Sequence, residues 1–226
     1  PPRRTHPNRK SRTASIFAED LKEMKRDPSS YVGSTSYRAY HFPSFSSQLP
    51  TNHFKNLFNS LKNEWAKILQ SKKDLGHMTE TDIFFTILPR INALLQTNSC
   101  ENMVDYYSPN PLRFSPDIML KDKESGRSYN GAQSYLGLKE VRNHDHTSGS
   151  SVCDSIDAVC VAGVLEHCPE SDIYWLVDEA FQLGTNIVVF IIDLSKAIRK
   201  DFEWWQGLIA GVANRYLGVN YHIFAL

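Results

Sequence analysis

Six consecutive apolar residues, Ile187 to Ile192 (IVVFII), lie between two stretches of helical periodicity, and this arrangement narrows the possible folds sharply. A strand with one wet face alternates apolar and polar residues, whereas an unbroken run fits a strand covered by helices on both sides, as in a parallel sheet. The run is far shorter than the roughly 20 apolar residues a bilayer span needs, so no membrane span is expected. Upstream, Pro169–Leu183 places Ile173, Leu176, Val177, Ala180 and Phe181 on one helical face, with Pro169 suited to the opening turn. Gly184 is expected to take the left-handed position that ends this helix. Downstream, Asp201–Tyr216 aligns Trp204, Trp205, Leu208, Ile209, Val212 and Ala213, with Gly218 as the exit. Strands are predicted at Asn102–Tyr106, Gly137–Asn143, Ser155–Ala162, Thr185–Asp193 and Val219–Phe224. Strands alternating with helices predict an α/β fold with a mostly parallel sheet.

The chain before Cys100 reads differently. Thr51 is a plausible N-cap for a helix in which Phe54, Leu57, Phe58, Leu61, Trp65, Ile68 and Leu69 share one face. A second helix opens at the Thr79-x-x-Asp82 pattern, which resembles a capping box, and carries Ile83, Phe84, Ile87, Leu88, Ile91, Leu94 and Leu95, with Pro89 expected to kink or restart it. Residues 27 to 50 are rich in Ser, Tyr, Phe and Pro without a sustained period, and predict an extended segment whose aromatics cover either the chain's own body or a neighbouring subunit. The first thirteen residues hold Arg3, Arg4, Arg9, Lys10 and Arg12 and no acid. They read as a solvated tail, as a basic arm laid along phosphates, or as an Arg- and Ser-rich organelle targeting segment. The organisation expected is a 1–50 basic extension, a 51–98 helical segment and a 99–226 α/β domain.

The 226 residues, 41% hydrophobic and 12% aromatic, suffice for a packed core and exclude a wholly disordered chain. Lys plus Arg and Asp plus Glu are both 25, so no global field steers nucleic acid or an anionic membrane toward the protein, and any such binding is local. Cys100, Cys153, Cys160 and Cys168 show no CxxC spacing, which argues against a zinc ribbon or disulfide scaffold and fits a reducing, intracellular compartment.

Within the α/β region, Val164, Leu165, Glu166, His167 and Pro169 match the VLEH-x-P turn that follows an apolar strand in class I S-adenosylmethionine-dependent methyltransferases. The segment DFEWWQGLIAGVANRYLGVNYHIF resembles the end of a bacterial and phage branch of that family, where a Glu-Trp-Trp helix precedes the last strand. The resemblance spans roughly residues 100–226 and implies a Rossmann-like sheet, reduced in strand number, with S-adenosylmethionine at the carboxyl ends of the strands. If the cofactor is bound, Asp105, Tyr107 and Asp145 are the positions the resemblance assigns to it.

Four departures lie on that rim. The family's first strand and turn read approximately LDYGCGKG, while Val104 to Pro111 put Tyr107, Pro109 and Pro111 at the glycine positions. Glycine serves there because the backbone takes positive φ and approaches the ligand without a Cβ; proline fixes φ and deletes an N–H. Asp145 keeps the acid expected for the ribose hydroxyls but has lost its Pro-Gly neighbour, Gly163 stands where an Asp precedes VLEH, and the loop from Asp193 to Glu203 is short. The interval from Asp145 to Asp157 also leaves little room for a further strand and helix.

The remaining constellations are bland by comparison. His144, Asp145 and His146, with Glu166, His167 and Cys168, contain metal-ligand atom types, yet no spacing fixes a third ligand, and no metal is expected. Glu166 and His167 read as structural, capping and orienting the next helix, rather than as an acid–base pair. Of Trp204 and Trp205, about 100° apart on a helix, one is expected in the core and the other at a contact surface. No P-loop, G-x-S-x-G, HExxH or EF-hand pattern occurs. The function these features predict is a catalytically degenerate methyltransferase-like pseudoenzyme, a structural subunit bound to other protein subunits. The basic arm makes a ribonucleoprotein, for instance in the mitochondrion with RNA held by the arm, the most attractive assembly, while a phage particle or a protein complex would serve equally. An active, divergent S-adenosylmethionine-dependent methyltransferase is the alternative.

Overall fold

The computed structural model describes residues 52–71, 82–122, 125–144, 156–195 and 200–226. Asp145, Thr51, Thr79, the 27–50 segment and the basic residues Arg3, Arg4, Arg9, Lys10 and Arg12 lie outside them. The elements are α1 Asn52–Ser71, α2 Ile83–Thr86, α3 Leu88–Thr97, β1 Asn102–Tyr106, β2 Met119–Lys121, β3 Ser128–Asn130, α4 Gly131–Leu136, β4 Glu140–His144, β5 Ile156–Ala162, a 3-10 turn Leu165–His167, α5 Glu170–Leu183, β6 Gly184–Ile192, α6 Phe202–Ala213 and β7 Asn220–Ala225.

Five strands form a sheet in the order β4-β1-β5-β6-β7, and every pairing in it is parallel. The α/β, Rossmann-like expectation is met. One face, carrying Val104, Tyr106, Val159, Val161, Val188 and Phe190, packs against α1, α5 and α6. The other, carrying Met103, Ala158, Cys160, Val189 and Ile191, packs against α2, α3 and α4. Double coverage explains why IVVFII is apolar throughout: all six residues are buried. The chain moves from β1 outward to β4, then crosses back to β5 before continuing to β6 and β7. The direction of winding therefore reverses between β1 and β5, and the crevice above their carboxyl ends is the switch point where such sheets take ligands.

Local chemistry sets most element ends. Asp82 caps α2 by accepting from the Phe84 N–H at 3.1 Å. Pro89 lies in the opening turn of α3, where a missing N–H leaves no bond unmade, so the predicted second helix restarts there. Asp201 caps α6, accepting from Trp204 N at 2.8 Å, and the helix ends at Ala213 rather than Tyr216.

Two expectations are corrected. Gly184 is extended, φ −82° and ψ 138°, and opens β6 instead of closing α5 in the left-handed region. The site is close-packed: a Cβ there would stand 3.2 Å from Val188 Cγ2 and 3.3 Å from Val159 Cγ2. The fourth sheet strand begins at Glu140, because Gly137, predicted to start it, is the left-handed C-cap of α4 at φ 68°. The β2–β3 hairpin and α4 were not predicted, since three-residue strands and a six-residue helix are too short to show a period.

Candidate functional site at the switch point

The site begins where β1 ends. Tyr107 extends the ladder by donating its N–H to the His144 carbonyl at 2.9 Å, and then turns the chain with φ at 47°. A bulky L-residue in the left-handed region costs about 1–2 kcal/mol. What offsets this is burial of the ring, 2% exposed, edge-on to Phe54 at 4.9 Å and Phe58 at 5.2 Å and near Trp175 at 6.4 Å. Burying such a side chain contributes about 1.5–3 kcal/mol, and edge-to-face pairs add to it. Helix α1 is thereby seated over the end of β1.

On the opposite face the loop after Tyr107 folds down into the crevice. Asn110 is buried; its Nδ2 donates to Asp82 Oδ2 at 2.7 Å and its Oδ1 accepts from Leu112 N at 3.1 Å. Arg113, 1% exposed, donates from Nε to Asp82 Oδ2 at 3.0 Å and from Nη1 to Asp105 Oδ1 at 2.9 Å. Its Nη2 reaches the Ala162 carbonyl at 3.4 Å, at the end of β5, and its guanidinium carbon lies 5.1 Å from the Phe84 ring centre. Gly163, the next residue, has φ 75°, and a Cβ there would touch Arg113 Nη2 and Pro109 Cγ at 3.8 Å each. One guanidinium thus ties β1, β5 and the cap of α2 together across the switch point.

The electrostatics follow from burial. Desolvation disfavours the Arg113 charge, but Asp82 and Asp105 together outweigh it and push its pKa up. Asp105 is raised from the usual carboxylate value, first by burial, with Arg113 pulling it back and Ser108 helping. Burial, reinforced by the Asp105 charge, also pushes the Cys160 thiol well up, so it is no ready nucleophile.

A second polar group occupies the α1 and α5 side. Tyr106 donates its hydroxyl to Glu179 Oε2 at 2.5 Å, and His144 stacks on the Tyr106 ring at 5.6 Å with Nε2 3.7 Å from Glu179 Oε1. Burial and the Glu179 charge raise the Tyr106 phenol.

Of the residues the resemblance assigns to a cofactor, Asp105 and Tyr107 are both present at the end of β1 but point into opposite layers: Asp105 toward Arg113, Tyr107 toward α1. Asp145 lies just beyond the described end of β4. Among the described residues no group of three His, Cys, Asp or Glu side chains is arranged to hold a metal ion. Glu166 is buried in the 3-10 turn that leads into α5, whose cap position is Pro169. Trp205 is buried, as expected of one of the pair, while Trp204 is half-buried against the core, with Lys200 Nζ 4.7 Å from its ring centre. Arg113, Asp82, Asn110 and Glu179 were not singled out as site residues. Asp82 signalled only a helix start, and its partner Arg113 lies 31 residues away with no local pattern linking them.

Comparisons of the chain with protein-family models, with curated proteins and with solved structures find no match.

Proposed function

We propose that this chain is a catalytically degenerate methyltransferase-like protein that acts as a structural or interaction subunit of a larger assembly. The observation that carries this reading is the occupation of the switch-point crevice by the chain's own side chains. Arg113 spans it from Asp105 to the Ala162 carbonyl, and Pro109 packs beside Gly163. A nucleoside in that crevice would have to displace a buried guanidinium from two carboxylates, and breaking a buried ion pair costs about 3–5 kcal/mol. The left-handed backbone at Tyr107 fits the alignment that places a family glycine there, with the phenol ring now filling the adjoining space.

Titration calorimetry of the full chain with S-adenosylmethionine and S-adenosylhomocysteine tests the reading. No binding is expected; micromolar binding would overturn it and favour the active, divergent methyltransferase. The ribonucleoprotein setting rests on the charge of the first thirteen residues, whose contacts to phosphate would make RNA binding salt-dependent and sequence-independent. Deleting residues 1–13 is expected to flatten that salt dependence, and an unchanged dependence would remove the arm from the proposal.

A further inference from the structure

The two carboxyls that flank Arg113 are bonded very unequally. Asp82 accepts four donors: the Phe84 N–H at 3.1 Å, Asn110 Nδ2 at 2.7 Å, and Arg113 through Nε at 3.0 Å and Nη2 at 3.3 Å. Asp105 accepts one, from Arg113 Nη1 to Oδ1 at 2.9 Å. Its Oδ2 is buried and has no hydrogen-bond partner among the described residues. Ser108 is close enough to act on this carboxyl, but its hydroxyl donates to the Asn110 carbonyl at 3.2 Å. Donors favour the ionised form of a carboxyl, and burial without them favours the neutral acid. Two ionised carboxyls around one guanidinium would also leave a negative charge unbalanced in the crevice. A protonated Asp105 avoids both costs, because Oδ1 still accepts from Arg113 while Oδ2 becomes an O–H.

We propose that in the closed crevice at mildly acidic pH Asp105 carries a proton on Oδ2 while Arg113 pairs with the ionised Asp82, and that losing this proton loosens loop 110–113 from the carboxyl ends of β1 and β5. The groups that act on Asp105 are Arg113 and Ser108 in the loop, Asp82 at the cap of α2, and the Cys160 thiol, its partner across the β1–β5 ladder. Burial outweighs them and raises Asp105 above the ordinary carboxyl value, so the closed crevice binds a proton more tightly than an opened one in which water reaches the acid. Closure is therefore fully favoured below the ordinary carboxyl value and weakens as the pH rises through the closed-state value. The loop that plugs the switch point is thus a pH-sensitive latch, and it is one whether or not the fold descends from a methyltransferase.

Cys160 is buried beside Asp105 and reports the opening. The full chain is alkylated under native conditions at a series of pH values, and peptide mass spectrometry follows Cys160. Each rate is divided by that of the unfolded chain at the same pH, which gives the open fraction. In the wild type this fraction is expected to rise by up to about tenfold per pH unit above about pH 4. Asp105→Asn, the neutral copy of the acid, is expected to fold and to lose that slope. Asp82→Asn removes the anion and is expected to raise the open fraction about a hundredfold or to unfold the chain. The infrared difference between wild type and Asp105→Asn at mildly acidic pH is expected to show the carbonyl band of an un-ionised carboxyl. A wild-type open fraction indifferent to pH, a slope that survives in Asp105→Asn, an Asp105→Asn chain that does not fold, an Asp82→Asn chain milder than Asp105→Asn, or an infrared difference without that band would each overturn the assignment.

Discussion

The Arg113 guanidinium donates to Asp105 at 2.9 Å while both side chains are 1% exposed, and Asp82 holds its other edge. Two carboxylates thus share one buried cation. Arg113→Met removes the cation and leaves both acids without it, which is expected to cost about 3–5 kcal/mol at neutral pH. The loss should shrink as the pH falls and Asp105, already raised by burial, protonates. Urea unfolding at neutral and mildly acidic pH measures both effects, and a loss below about 1 kcal/mol would show that the pair does not hold the loop.

Asp105 itself gives a pH dependence of defined sign. Burial raises its pKa above the ordinary 3.8, more than Arg113 lowers it. A carboxyl raised in the folded state contributes stability that is fully present below its unfolded pKa and is lost as the pH rises through the folded one. Asp105→Asn abolishes that titration and leaves Arg113 with Asp82. The stability of the variant relative to wild type is expected to improve as pH rises from about 4 to about 7, and a constant difference would contradict the shift.

Tyr107→Gly sets two terms against each other. It relieves about 1–2 kcal/mol of left-handed strain but deletes a ring whose truncation costs about 3–5 kcal/mol in a packed core. A net destabilisation of about 1–4 kcal/mol is expected from denaturant midpoints. An unchanged or raised stability would mean that the packing with Phe54 and Phe58 contributes little.

Two glycines predict opposite outcomes. A Cβ on Gly131 would stand 2.6 Å from the Ser115 carbonyl oxygen at φ 80°, so Gly131→Ala should destabilise by more than about 2 kcal/mol. Gly207 lies exposed inside α6 with nothing within 4 Å of such a Cβ, so Gly207→Ala should stabilise by about 0.5–1 kcal/mol. Thermal unfolding of both variants distinguishes a glycine held by contact from one that is merely tolerated.

Thiol chemistry provides a further check. Cys160 and Cys168 are buried with thiols pushed well up by burial, and Cys100 is raised to about 11. All three are expected to resist alkylation near neutral pH in the folded chain and to react on unfolding, read by peptide mass spectrometry. Rapid labelling of Cys160 under native conditions would show that the crevice opens.

What the amino-acid order determined by itself was the layer architecture. Apolar spacing is a local property, so β1, β5, β6 and β7 and the helices α5 and α6 were legible to within a few residues, and the unbroken IVVFII run already implied helices on both faces. Short elements escaped: the hairpin Met119–Asn130 and α4 hold too few residues to establish a period, and they owe their form to the Gly131 N–H bonded to the Ile118 carbonyl at 2.7 Å and to the sheet they cover. The glycine-free turn of Tyr107, Pro109 and Pro111 was visible in one dimension, but the contacts made there were not. Only the tertiary structure decided that Arg113 lies between Asp82 and Asp105, and that Tyr107 keeps a left-handed turn beneath α1. Those relationships join residues from separate elements, and a buried charge finds its partner through the fold of the chain, which the spacing of residues along it does not encode.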